Sequence, residues 1–345
     1  MKKMLWGKTA DGVEVHLYTL TSGKIEARIT DFGAHLVSVR TPDRTGRVQD
    51  VVLGFDELAG YLQKPNGYLG AIVGRYGNRI GKGQFTIDGN HYTVPANDGP
   101  NALHGGPVGF DRYVWKAEET ANGLELTHVS PDGDMGFPGA MTAKVRYTLE
   151  GNTLRLDYTA TTGKPTVLNL TNHAYYNLHG DDQGNILDHV LELNSDHYTP
   201  VDPGQIPTGE IAPVAGTPLD FRQPAVVGAR IEDPFEQMKL GRGYDHNFVL
   251  NGAAGTLRRA AKMTEPGSGR TLTVETTEPA IQFYSGNFLD GKLTGRHGKK
   301  YEKRTGFCLE TQHYPDSPNH ANFPSAVLRP GETFRSTTTL TFGVE

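Results

Sequence analysis

Apolar and polar positions in this chain change places every second residue in many short runs, and hardly anywhere at the spacing of a helical face. Strands are predicted over 13–20, 25–29 and 34–40, then over 113–118, 124–130, 143–149 and 153–161, and again over 190–193, 271–278, 280–288 and 334–344. Leu154, Leu156 and Tyr158 set one buried face of such a strand. Asp88-Gly89 between two alternating runs predicts a tight hairpin. Helix is predicted only over 55–62 and 232–240, both short. The Pro-rich stretch 198–221 carries apolar residues between its prolines, which predicts a packed crossing between sheets rather than a linker.

Composition agrees with this pattern. The 43 Gly and 21 Pro supply turns for many short strands, and no break in composition or internal repeat divides the 345 residues. The expectation is an all-β chain forming one domain over 1–345. No apolar run approaches the ~18 residues of a membrane span. A net charge of −5 with mixed signs lacks the basic stripe of a nucleic-acid ligand. A single cysteine, Cys308, excludes an internal disulfide framework. The N-terminal MKKMLWGKTADG has no apolar leader region, so a cytoplasmic location is expected.

Four stretches carry chemistry. In LNLTNHAYYNLHG, residues 168–180, a strand would turn Asn169, Thr171, His173, Tyr175 and Asn177 one way and Leu168, Leu170, Ala174, Tyr176 and Leu178 mostly the other. Amides, a hydroxyl and a phenol suit neutral hydroxylated ligands, and the histidine between them suits proton transfer near neutral pH. A buried polar network around His173 would show the same pattern. The Gly-rich LGAIVGRYGNRIGKG, residues 69–83, presents Arg75, Asn78 and Arg79, either to a ligand or to tie the loop down. The long loop 97–111 holds His104 outside any predicted helix or strand. In GFCLETQHYPDSP, Glu310 sits in an otherwise uncharged strand, where a charge must be paired or used. Asp245, on a turn leading into an apolar strand, either accepts hydrogen bonds from hydroxyls or caps the turn. Gln282 is an amide beside the aromatic Tyr284. The basic stretch 291–304 reads as a solvated loop. The 13 histidines show no HExxH or other metal spacing, there is no GxSxG elbow, and the Gly-rich stretch 69–83 is not a phosphate loop, since no Gly-Lys there is followed by Ser or Thr.

GRYGNRI, NALHGG, NLTNHAYYNL, GYDHNF, IQFYSGN and LETQHYPDSPN stand in one order along the chain. Together they resemble the aldose 1-epimerase (galactose mutarotase) family. The resemblance implies a large antiparallel β-sandwich of the galactose mutarotase type with few short helices, acting without metal or cofactor. It implies interconversion of the α and β anomers of free aldohexoses such as D-galactose and D-glucose, by acid–base ring opening and reclosure. Glu310 would be the general base and His173 the general acid. Asn78, Arg79, His104, Tyr175, Asp245 and Gln282 would hold the sugar. Gly77, Ala174-Tyr175-Tyr176 and Ser285 are small departures from the family pattern, and they spare the acid–base pair. The partner implied is a monosaccharide, with neither nucleic acid nor membrane, and the chain would be a monomer or weak homodimer. A hexose-6-phosphate epimerase would need a cationic pocket, for which Arg75 and residues 292–304 are the spare charges. A binding or sensor protein on the same fold would not need both Glu310 and His173.

Overall fold

The computed structural model describes residues 1–345. Its largest sheet has nine strands in the spatial order Lys116–Thr120, Gly123–Ser130, Met141–Glu150, Thr153–Thr162, Phe334–Val344, Arg270–Thr276, Arg258–Thr264, Val190–Leu193 and Ala225–Val226. The C-terminal strand lies mid-sheet, with Thr341 paired to Thr153 on one side and to Thr273 on the other. Period-two alternation decides which face is buried: Leu124, Leu126, Val145, Leu154, Leu156 and Leu340 all enter one core cluster of 55 residues. Each such side chain contributes roughly 1.5–3 kcal/mol on burial.

A second, five-stranded sheet runs Ala212–Pro213, Ser195–Thr199, Asp245–Leu250, Ala280–Tyr284 and Cys308–Gln312. Phe248, Ile281, Phe283 and Leu309 face the same core. A hydrogen bond of 2.6 Å between the hydroxyls of Thr311 and Thr338 links this sheet to the nine-stranded one. The core therefore sits between the two, and the other face of the smaller sheet is free for chemistry. A third sheet is the N-terminal meander Lys2–Lys8, Glu14–Ser22, Ile25–Thr30, Leu36–Pro42 and Val48–Asp50. The ladders of all three sheets are antiparallel. Only Leu58–Leu62 and Glu236–Gly241 are α-helical, the first within its predicted span and the second running one residue past its own, and no helix is long and apolar enough to cross a membrane.

The predicted hairpin is present, with Asp88 and Gly89 both at positive φ between Gln84–Ile87 and Asn90–Thr93. The Pro-rich crossing packs Val214, Leu219 and Phe221 into the core. Arg258–Thr264 escapes prediction because a bulge between Arg259 and Ala261 breaks its alternation.

Two expectations are corrected. Residues 168–180 are not one strand: only Thr171–Asn172 pairs in a ladder, with Ile72–Val73. The remainder threads between loops, Asn169 N–H donating to Arg75, Tyr176 N–H to Phe307 and Asn177 N–H to Val51. Its alternation survives, since Leu168, Leu170, Ala174, Tyr176 and Leu178 all join the large core. Residues 291–304 are not merely a solvated loop. Arg296 is buried there, donating to Asp181 at 2.7 Å and to the carbonyls of Val52 and Val37, with Asp50 at 3.6 Å.

Candidate active site

Three adjacent strands of the second sheet place the acidic side of the site. Gln282 is registered between Asn247 and Glu310, and Asp245 lies opposite Tyr284. Alternation sends Ile281, Phe283 and Leu309 to the core and so sends Gln282 and Glu310 to the opposite face. The ladder Ala102–Leu103 with Arg79–Ile80 brings in the other half of the site. Asn78 and His104 flank that ladder at positive φ, 62° and 53°, locked by reciprocal bonds. The His104 N–H donates to the Asn78 carbonyl, and the Asn78 N–H donates to His104 Nδ1, both at 3.1 Å. Gly105 makes this turn possible, because a Cβ there would lie 2.1 Å from the Gly74 carbonyl oxygen.

These elements enclose a cavity of about 780 Å³, lined by Asn78, Arg79, His104, His173, Tyr175, Asp245 and Glu310 among others. His173 Nε2 lies 3.7 Å from Glu310 Oε1, and its Nδ1 faces the Cys308 thiol at 3.6 Å. Glu310 Oε2 is buried with no hydrogen-bond partner in the protein, an acceptor aimed at whatever fills the cavity. Burial, with Asp245 nearby, pushes the Glu310 carboxyl well above its ordinary range, and Arg79 only partly opposes this. Burial pushes His173 down to about 4. Burial, together with His173 and Arg79, holds His104 well below its ordinary value. His104 is therefore a neutral imidazole. With Nδ1 occupied by the Asn78 N–H, its proton sits on Nε2, a fixed donor.

Of the eight residues that the family resemblance assigns to the site, only Gln282 is absent from the cavity lining. Its Nε2 donates to Asp245 Oδ1 at 2.7 Å and its Oε1 accepts from Gln312, so it holds Asp245 in place. Arg79 Nε donates to Asp98 Oδ2 at 2.7 Å. Arg75 does not face the cavity: it is buried and donates to Ser130 Oγ and to the carbonyls of Pro131, Pro138 and Gly139. Arg75 and Arg296 are thus unavailable to a phosphate. Asn169 and Asn177 are structural clamps, bonded to Gly77, His313 and Thr305, so the polar-network reading holds for them and only His173 and Tyr175 of that stretch reach the cavity. Against this burial, the support for a proton on His173 comes from its own backbone carbonyl, and Glu310 is the one carboxylate beside it. Tyr68, Asp98, Tyr284 and Phe288 also line the cavity. Only Tyr284, on the Gln282 face of its strand, had a signal in the alternation.

The ligand atoms of His104, His173 and Glu310 lie within 4.8 Å of one another, close enough to suggest a metal triad. The chemistry of the donors argues otherwise, since His104 Nε2 could bind a metal only if its proton moved to Nδ1, against the Asn78 N–H. A second cluster, His179, Asp188 and His189, has the same obstacle: the Leu178 N–H fills His189 Nε2, leaving a proton on the Nδ1 that faces Asp188.

Residues 16–341 match the family model described as Aldose 1-epimerase. The chain is similar to galactose mutarotase from Bos taurus, 47% identical over 96% of this chain and 94% of that one. It is similar also to aldose 1-epimerase from Escherichia coli K12, 39% identical over 97% of each. Among solved structures it resembles a galactose 1-epimerase from Lactobacillus acidophilus, with a TM-score of 0.86 and 29% identity over 99% and 98% of the two chains. A GalM/aldose epimerase homologue from C. elegans gives the same TM-score at 30% identity, over 95% and 98% of the two chains.

Proposed function

The chain belongs to the aldose 1-epimerase family, and from that premise we propose that its cavity interconverts the anomers of a free aldohexose such as D-galactose, with Glu310 and His173 as the proton-transfer pair. Mutarotation removes the proton of the C1 hydroxyl and delivers one to the ring oxygen O5. The ring opens to an aldehyde, C1–C2 rotates, and closure on the opposite face reverses both transfers. Because O1 and O5 hang on one carbon, base and acid must converge on neighbouring atoms. The observation that carries the reading is this convergence: a buried carboxyl and imidazole 3.7 Å apart, the carboxyl with a free acceptor oxygen.

Glu310 takes the hydroxyl proton and His173 protonates O5, while His104 Nε2–H is placed to donate to a sugar oxygen as charge develops on it. Asp245, held by Gln282, accepts from sugar hydroxyls, Asn78 and Arg79 supply donors, and Tyr175 forms a wall beside His173. The chain acts as one unit over 1–345, a reading supported by a core cluster that runs from Tyr18 to Phe342. It is a monomer or weak homodimer. A cytoplasmic location accompanies this reading, in keeping with one unpaired, buried cysteine.

The test is polarimetry on freshly dissolved α-D-galactose at neutral pH. The protein is expected to speed the approach to an unchanged final rotation. Glu310→Gln and His173→Asn should each lose roughly 10²–10⁴-fold in rate while keeping the native near-ultraviolet spectrum. A folded protein that accelerates no free aldose would refute the activity. A variant keeping most of its rate would refute that residue's role.

A further inference from the structure

The cycle requires His173 to carry a proton, yet its surroundings offer few of the usual supports for an imidazolium. Its own backbone carbonyl gives partial support, Nδ1 faces a thiol and Nε2 faces Glu310. Of the other charged groups lining the cavity, Arg79 is tied to Asp98, Asp245 to Gln282 and Lys292 to Asp290, while Lys64 and Arg242 are cations that lend an imidazolium no support. Four aromatic rings also stand around it. The Tyr175 and Tyr68 rings lie 5.1 and 5.9 Å from the imidazole at shallow tilts of 34° and 33°. His104 meets it edge-on at 5.1 Å, and Tyr284 stands farther off at 6.5 Å.

Tyr68 is distinctive among these rings. It touches both site imidazoles, its ring centroid lying 4.7 Å from that of His104. Its backbone sits at φ 57°, a left-handed conformation rare for a bulky residue and concentrated at functional sites. That conformation is enforced locally. The buried Asn66 accepts from the Tyr68 N–H at 3.0 Å and donates to the Tyr61 carbonyl, and the Ala71 N–H donates to the Tyr68 carbonyl. The phenol end faces Asn97. The ring is thus built into the cavity wall rather than left as a surface side chain.

We propose that Tyr68 is a positioning residue for proton transfer, its ring wall stabilising the imidazolium that His173 becomes during ring opening. The physical basis is the negative face of the aromatic ring, which attracts a desolvated cation with no hydrogen-bond acceptor that could capture the proton. The inference rests on His173 being the acid, so His173→Asn is measured alongside.

Tyr68→Leu keeps an apolar wall but removes the ring. Its kcat is expected to fall about tenfold, in line with a desolvated cation–π contact. KM should stay near the wild-type value, and the acid limb of the pH profile should move to lower pH because His173 holds its proton less well. Tyr68→Phe, which retains the ring, should restore kcat. Should the leucine variant not fold, a series of increasingly fluorinated phenylalanines at position 68 keeps the shape while weakening the ring face, and kcat should fall along it. Unchanged kcat in Tyr68→Leu, a flat fluorinated series, loss confined to KM, or a phenylalanine variant as slow as the leucine variant would overturn the role of Tyr68 while leaving His173 as acid. Retained activity in His173→Asn would overturn both.

Discussion

Glu310 and His173 are ordinary side chains made unusual by burial. Each is pushed toward its neutral form, Glu310 upward and His173 down to about 4, so the protein around them favours a carboxylic acid beside a neutral imidazole, sharing one proton. The charged arrangement differs only by moving that proton across the 3.7 Å gap, with no net uptake. Activity therefore fails only when the pair gains a second proton or loses its last one. The pH profile of kcat/KM should be a broad plateau, with its acid limb near pH 4 and its alkaline limb well above the ordinary glutamate range. A narrow bell centred between 4 and 6 would contradict this. Linkage adds a stability prediction. A carboxyl raised by folding binds more protons in the native than in the unfolded state, so it lowers stability increasingly as pH rises above about 4.3, the unfolded glutamate value. Glu310→Gln should then melt higher than the wild type at pH 7 and lose that advantage below about pH 4. Thermal melts at the two pH values decide it. Residue types alone marked both residues, because an isolated Glu in an apolar strand and a His among amides are both anomalous, and the family resemblance joined them as base and acid. They did not distinguish His173 from Asn169 and Asn177, whose alternation is the same but whose amides close on backbone carbonyls.

At the scale of elements, the site depends on loops that carry no regular structure and are fixed instead by buried polar anchors. Arg75 is the clearest case. Its guanidinium satisfies carbonyls of Pro131, Pro138 and Gly139 and so ties the Gly-rich turn to the loop after Gly123–Ser130, a few residues from Asn78 and Arg79. Arg75→Met would leave several acceptors buried and unpaired, each costing roughly 1–3 kcal/mol. The expected result is a loss of about 2–4 kcal/mol in denaturant unfolding, with KM for galactose little changed in the protein that remains folded. A large rise in KM without loss of stability would instead make Arg75 a sugar ligand. Regular strands were legible in the sequence because their signal is local. The path of residues 168–180 was not, because its backbone partners at 51, 71, 75 and 307 are distant in sequence and no pattern within thirteen residues encodes them.

Across the whole molecule, the N-terminal meander and the segment flanking the cavity mouth meet at one buried cation. Arg296 reaches the Val37 and Val52 carbonyls, Asp181 and Asp50, while its own segment continues from Leu289, Asp290, Lys292 and Leu293 on the cavity wall. Burial would lower its affinity for a proton, but Asp50 and Asp181 keep it charged. Such pairs are weak additions to stability when complete and strongly destabilising when one partner is removed, since the remaining charges stay buried. Arg296→Met should therefore cost about 3–5 kcal/mol by leaving two carboxylates uncompensated. Adding Asp181→Leu to it should recover part of that loss, because one stranded charge goes with the substitution. The double-mutant cycle measures this coupling directly, and additive effects of the two substitutions would show that the ion pair does not join these parts of the molecule. If it does join them, the single variant should also raise KM by loosening the wall that carries Leu289 and Leu293, while the chemistry at Glu310, held by the five-stranded sheet, and at His173, held by backbone bonds to Gly70 and Ala71, keeps its pH profile unchanged.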